Sequence, residues 1–141
     1  MIEHNHQIKV YYRDIDKMGI VYYSRFLEYF EEARTELLHS LGLRVKEIEK
    51  KGIMLPVITC HCDYKKPGLF EESLSIQSNI NQIPKAKLQI NYVVKNTEAN
   101  KIIANGYTSH AFVNIDGKPV RAPKFFLKKL GLHYKNVKPR N

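Results

Sequence analysis

The sequence predicts an α+β fold in which one long helix covers an antiparallel sheet, and three observations carry that prediction. Phe26, Phe30, Ala33, Leu37 and Leu41 recur at spacings of three and four, the pattern of a helix that buries one face. Later segments alternate with period two instead: Leu74, Ile76, Ser78 and Ile80, then Leu88, Ile90, Tyr92 and Val94. Short polar turns separate those segments, so they follow one another as antiparallel neighbours. Such a sheet has an apolar face that needs cover, and the one long helix is the element large enough to supply it.

Taken in order, Gln7 to Arg13 reads as a first strand with Ile8, Val10 and Tyr12 on one face. Asp14 to Gly19 is a loop, with Gly19 supplying a turn conformation that other residues resist. The long helix is predicted from Ser24, as N-cap, to Leu41, with Glu28, Glu31 and Glu32 in its early half where negative charge suits the helix dipole. Gly42 stops it. Leu43 to Lys51 reads as a shorter amphipathic helix ended by Gly52. Ile53 to Lys66 is a long β segment, broken by Pro56 and closed by Pro67-Gly68. Strands follow over Ser73–Ile80, Lys87–Lys95 and Ile102–Ile115, and Ala122 to Leu130 closes the chain as a short helix. No internal repeat or linker divides the 141 residues, which predicts one domain over 1–141 with a basic tail from His133 onward.

Composition narrows the class. An apolar content of 43% without low-complexity tracts excludes disorder. No apolar run is long enough to span a bilayer, and Met1 to Gln7 lacks the features of a secretion signal, so a cytoplasmic protein without stable membrane insertion is expected. Cys60 and Cys62 flank His61 on one strand, where residues two apart diverge too far for an easy disulfide, and no further ligands make a zinc site. Asp14-x-Asp16 with Gly19 imitates the start of a calcium loop, but Met18 and Arg25 occupy positions that need oxygen ligands. Asp14 is therefore read as structural, pairing with Arg34 or a backbone donor. The formal charge is +9, and after Asp116 the chain has no acids. That balance favours an anionic partner. Nucleic acid is not the expected one, because no recognition motif or aromatic-interleaved basic stripe accompanies the charge.

One stretch carries candidate chemistry. Asp16 sits a few residues before a helix start, whose unsatisfied N–H groups point outward. A carboxylate beside such donors is what acyl transfer requires: one group to attack or to activate water, and donors for the developing oxyanion. Taken alone, Asp16 also suits a turn, a common task for aspartate.

The string Asp16-x-x-Gly19-x-Val21-Tyr22-Tyr23-x-x-Phe26, followed by Glu31-Glu32-Ala33-Arg34-Thr35-Glu36, resembles the hotdog-fold acyl-CoA thioesterases. The similarity is nearest to the 4-hydroxybenzoyl-CoA thioesterase family and the related thioesterase associated with the Tol–Pal system. It continues through Asp63-Tyr64-x-x-Pro67 and Lys118-Pro-Val-Arg-Ala-Pro-Lys124, so it covers nearly the whole chain. The resemblance implies a curved five-stranded sheet wrapped around the central helix, with subunits paired edge to edge. A homodimer is the minimal unit and a homotetramer is expected.

It further implies hydrolysis of an acyl-CoA to coenzyme A and a carboxylic acid, with Asp16 as nucleophile or general base and the backbone N–H of Tyr23 polarising the thioester carbonyl. Gly19, Tyr22, Pro67 and Gly68 border the acyl or pantetheine portion, and Lys85, Lys87 and Arg121 meet the phosphates. No metal or prosthetic group is implied, coenzyme A being part of the substrate. The chain departs from the pattern in two places. Many Tol–Pal-type members have histidine where this chain has Tyr23, and Pro84 and Ala86 stand where relatives have arginines. The alternative is a non-catalytic acyl-CoA-binding protein of the same fold; a pure binder has no use for an acid at Asp16.

Overall fold

The computed structural model describes residues 1–133. The expected basic tail lies outside them from residue 134 on. Five long strands, β1 (Ile2–Lys9), β2 (Val57–Tyr64), β3 (Ser73–Ile80), β4 (Lys87–Asn96) and β5 (Lys101–Val113), form one antiparallel sheet in the order β1-β3-β4-β5-β2. A two-residue strand, β6 (Pro119–Val120), pairs with the end of β5 and carries no signal in the sequence pattern. Among the described residues there are three α-helices: α1 (Arg25–Ser40), α2 (Val45–Lys50) and α3 (Lys124–Gly131).

The alternation read from sequence sets which face of the sheet is covered. Leu74, Ile76, Ile80, Leu88, Ile90, Tyr92 and Val94 are all buried, as are Phe26, Phe30, Ala33 and Leu37 of α1. The Phe30 ring lies flat on Tyr92, with centroids 4.3 Å apart and planes 6° from parallel. Because β1 and β2 occupy opposite edges, the chain between them must cross the sheet, and α1 makes most of that crossing. The long helix thereby covers the core and delivers its N-terminus to one end of the sheet.

Several boundaries differ from expectation. The β segment expected over Ile53 to Lys66 is a strand only over Val57–Tyr64, with Met54 making an isolated bridge to Val113. The first strand lies earlier, because Tyr12–Asp14 turns into a 3-10 helix once the Asp14 carboxylate accepts the Tyr11 N–H at 2.8 Å. Ser24 is not a side-chain cap. It is already helical (φ −69°, ψ −19°), and its hydroxyl makes no capping bond. Gly42 does close the helix, its N–H donating to His39 O at 3.0 Å. Gly106 permits the β5–β2 contact, since a Cβ there would stand 2.0 Å from the His61 carbonyl oxygen.

Candidate active site

Asp16 stands in a tight hairpin. Ile15 and Val21 pair across it, the Asp16 N–H donates to Ile20 O at 2.9 Å, and the Gly19 N–H donates to Asp16 O at 3.0 Å. Gly19 closes that turn with φ +79°, a left-handed conformation that favours glycine. Asp16 Oδ1 accepts the Met18 N–H at 2.8 Å and lies 3.5 Å from Ile20 N. The aspartate thus does perform the turn-forming task, but with one oxygen. Among the described residues its other oxygen has no hydrogen-bond donor, and no cation lies within 4.0 Å of the carboxylate. One oxygen fixes the side chain while the second is left unoccupied.

The hairpin returns directly into the start of α1. The Tyr22 N–H is taken by Asp14 O at 2.8 Å. Arg25, Phe26 and Leu27 then donate to the carbonyls of Tyr22, Tyr23 and Ser24 respectively, at 2.9–3.3 Å, in a tight i→i−3 turn. The amides of Tyr23 and Ser24 have no acceptor among the described residues. They are the outward-facing donors that a helix start leaves over, and the absent Ser24 cap keeps them open. The Tyr64 hydroxyl donates to Tyr23 O at 3.1 Å, a restraint from β2 on the peptide next to the free Tyr23 N–H.

Other predicted site residues divide into two groups. Gly68 comes to the hairpin, with Pro67 before it in the chain: the Val21 N–H donates to Gly68 O at 2.8 Å, and Ile20 bridges to Leu69. Tyr22 and Tyr23 are both exposed, with ring centroids 4.7 Å apart. The neighbouring Tyr23 hydroxyl raises the pKa of the Tyr22 hydroxyl, and Asp16 adds to the shift. Lys85, Lys87 and Arg121 form the second group. The Ala122 N–H donates to Lys85 O at 2.7 Å, which brings Arg121 to the β3–β4 turn, and all three cations are exposed. This turn follows Ile80, whereas Gly68 and the hairpin precede Ser73, so the length of β3, about 23 Å at ~3.3 Å per residue, separates the groups within one chain.

Asp14 is structural, as read, and its backbone donor is Tyr11. Its cation differs from the expected Arg34: Arg25 Nε lies 3.8 Å from Asp14 Oδ1. The two cysteines are free, and burial raises the pKa of both thiols, which disfavours the nucleophilic thiolate. Burial likewise pushes the Tyr64 hydroxyl up to about 12, so it remains a donor at neutral pH. Among the described residues no group of three or more His, Cys, Asp or Glu is arranged to hold a metal ion, and no helix is long and apolar enough to cross a membrane.

Sequence reasoning missed a buried polar chain. Since Leu55 O only accepts, His110 Nδ1 donates to it (3.0 Å), leaving Nε2 to accept from the Thr108 hydroxyl (2.8 Å), which in turn accepts from Tyr92 OH (2.7 Å). Burial lowers the His110 pKa, favouring this neutral form. His110 lines a cavity of about 190 Å³ with Arg34, Leu38, Leu55, Leu88 and Ile90. The inward alternation of β4 and β5 locates Tyr92, Thr108 and His110 in the core, but no local sequence signal joins them to Leu55.

Comparison with known proteins agrees with this architecture. The family model for the thioesterase-like superfamily matches residues 10–130. The provisionally named acyl-CoA thioesterase YneP of Bacillus subtilis is 32% identical over 85% of this chain and 87% of its own length. A 1,4-dihydroxy-2-naphthoyl-CoA hydrolase of Crocosphaera subtropica is 26% identical over 74% of this chain and 78% of its own. Among solved structures, the DHNA-CoA thioesterase of Staphylococcus aureus superimposes with a TM-score of 0.86 at 26% identity, covering 96% of this chain and 91% of that one. The chain belongs to the thioesterase-like superfamily and is an enzyme of the thioesterase class with the hotdog fold.

Proposed function

We propose that this protein hydrolyses a compact acyl-CoA at the mouth of α1. The observation that carries the reading is that two groups are left unsatisfied on the one short stretch that runs from the hairpin into α1: the second carboxylate oxygen of Asp16 and the backbone N–H of Tyr23. The Tyr23 N–H donates to the thioester carbonyl oxygen and stabilises the negative charge that develops on it. Asp16 either attacks the carbonyl carbon or takes a proton from a water that does so. The C–S bond then breaks and the thiolate of coenzyme A leaves and is protonated. Where water attacks, the carboxylic acid is released at once; where Asp16 attacks, the acyl group stays on it as a mixed anhydride. In the nucleophilic route, water hydrolyses the mixed anhydride in a second step. Gly19, Tyr22, Pro67 and Gly68 border the reacting end of the substrate. The chemistry needs no metal or prosthetic group.

The distance between Asp16 and the cation turn argues for a site shared by two subunits. β2 is an edge strand with exposed Val57 and Ile58, the kind of edge that pairing removes. Antiparallel two-fold pairing of β2 with its copy sets the Val57 end of one subunit beside the Tyr64 end of the other. Lys85, Lys87 and Arg121 of one subunit then share an end of the joined sheet with Asp16 and Tyr23 of the next, and they bind the substrate's phosphates. The homodimer is the minimal unit and a homotetramer its assembly, in the cytoplasm. The same pairing brings the His110 cavity toward the partner's helix mouth. Its volume of about 190 Å³ is on the scale of the ~150 Å³ cavity that holds a benzene ring. An aromatic or similarly compact acyl group therefore fits better than a long fatty chain, in keeping with the naphthoyl-CoA hydrolases among the relatives.

The test is turnover of a panel of acyl-CoAs, aliphatic and aromatic, by the wild type and by Asp16→Asn. The variant is expected to lose ~10²–10⁴ in kcat while still binding coenzyme A. Wild-type turnover by Asp16→Asn, or a wild-type protein that binds acyl-CoAs but hydrolyses none, overturns the catalytic reading.

A further inference from the structure

Arg25 has so far appeared only as the cation beside Asp14. Its side chain, 32% exposed, runs from the first turn of α1 to the far side of the hairpin. Nη2 donates to the Arg13 carbonyl at 3.0 Å, Nε lies 3.8 Å from Asp14 Oδ1, and Nη1 pairs with Glu28 at 3.0 Å. The next carbonyl along, that of Asp14, is held by the Tyr22 N–H at 2.8 Å. Two consecutive carbonyls, just ahead of Asp16, are therefore tied to the helix start, one by Arg25 and one by Tyr22. The ring closes because the Arg25 N–H itself donates to Tyr22 O at 2.9 Å.

This arrangement has two consequences for chemistry. It fixes the distance from the Asp16 hairpin to the amides it must work with. It also removes the Tyr22 N–H from use, so that the Tyr23 N–H is the first free donor. The buried Asp14 carboxylate belongs to the same device, since it accepts the Tyr11 N–H and shapes the 3-10 turn on which both carbonyls sit. Around it stand Arg25, Arg13 and the buried Tyr29 hydroxyl, whose pKa is raised by burial and then by the Asp14 charge. Arg13 is the lesser cation, 70% exposed and 4.0 Å away. Every group needed for a clamp is present, and none reaches the unoccupied oxygen of Asp16.

We propose that Arg25 is a positioning residue, whose guanidinium, through the Arg13 carbonyl and the Asp14 carboxylate, sets the placement of Asp16 against the Tyr23 amide. The proposal rests on the hydrolytic reading of Asp16 but makes a claim of its own about backbone geometry. Two readouts separate them: steady-state kinetics on an acyl-CoA, and hydrogen exchange of the Tyr22 amide by NMR.

In Arg25→Met, kcat is expected to fall ~10²-fold, the scale of an ångström-size misplacement, with KM within about threefold of wild type. The Tyr22 amide exchanges faster, whereas the Ile90 amide in the sheet centre does not. Arg25→Lys is expected to fall between, because one ammonium cannot serve both acceptors with a planar fork. Glu28→Gln, which breaks only the exposed pair, retains wild-type kcat. An Arg25→Met enzyme with wild-type kcat overturns the proposal, as does a kcat loss without faster exchange at Tyr22. Faster exchange in a protein that hydrolyses no acyl-CoA leaves the clamp as architecture only, which overturns its catalytic role and the hydrolytic reading together.

Discussion

The two ends of the sheet are built differently. At the hairpin end, Asp16, Gly68, Tyr22 and the start of α1 are joined by main-chain hydrogen bonds of 2.8–3.0 Å, and Tyr64 reaches in from β2 to hold the Tyr23 carbonyl. At the other end, Lys85, Lys87 and Arg121 are exposed, and none of them has an acid within 4.0 Å among the described residues. Chemistry at a carbonyl needs fixed geometry, whereas attraction of phosphates needs only charge. The fixed end suits the first task and the solvated end the second.

The sharpest way to break that division is to exchange charge for neutrality at each end. Asp16→Asn is expected to act on kcat with the loss given above, while Asp14→Asn, which keeps an acceptor for the Tyr11 N–H, lowers thermal stability first and activity second. At the cation end, the triple variant Lys85→Ala, Lys87→Ala, Arg121→Ala is expected to raise KM by about tenfold at low salt and leave kcat near wild type, with the difference shrinking as ionic strength rises. A comparable fall in kcat there, measured over 20 to 500 mM salt (round values spanning about 20 to 4 Å of screening length), would place those residues in the chemistry.

Smaller effects sharpen the comparison. Tyr64→Phe removes one hydrogen bond, on the order of 1 kcal/mol, and is expected to cost about fivefold in kcat without moving KM. His110 lies between the two ends, and its pKa is lowered in the folded protein by burial. The unfolded chain therefore binds a proton that the native state resists, so stability is lost as pH falls below the ordinary histidine range, starting at ~6.5. Thermal unfolding followed between pH 7 and about pH 5 should show that loss. His110→Asn should flatten it; an unchanged slope would remove His110 from the account.

Much of this was legible in the chain, and the reasons are physical. Period-two alternation fixed the inward faces of β3 and β4, and the spacing of Phe26, Phe30, Ala33 and Leu37 fixed the buried stripe of α1. Gly19 and Gly42 were readable because turns and helix ends select glycine locally. What escaped depends on contacts far apart in sequence. Nothing near Tyr64 indicates that its hydroxyl meets the carbonyl of Tyr23, 41 residues earlier. Arg34 and Arg25 are equally reasonable partners for Asp14 until the helix is docked, and docking selects Arg25. Ser24 has the chemistry of a cap, but the turn begins two residues before it and places its backbone inside the helix. The exposed cations could be named but not placed, because the distance from them to Asp16 is a property of the folded sheet.

The central claim is that Asp16 and the Tyr23 amide act on the same thioester. A crystal structure of Asp16→Asn with a slowly turned-over aromatic acyl-CoA tests it most directly. The account predicts the thioester oxygen about 2.7–3.1 Å from the Tyr23 nitrogen, with the substituted side chain against the carbonyl carbon or a water beside it. An acyl-CoA bound with its thioester away from the start of α1, or pointing its carbonyl at a different donor, would contradict it.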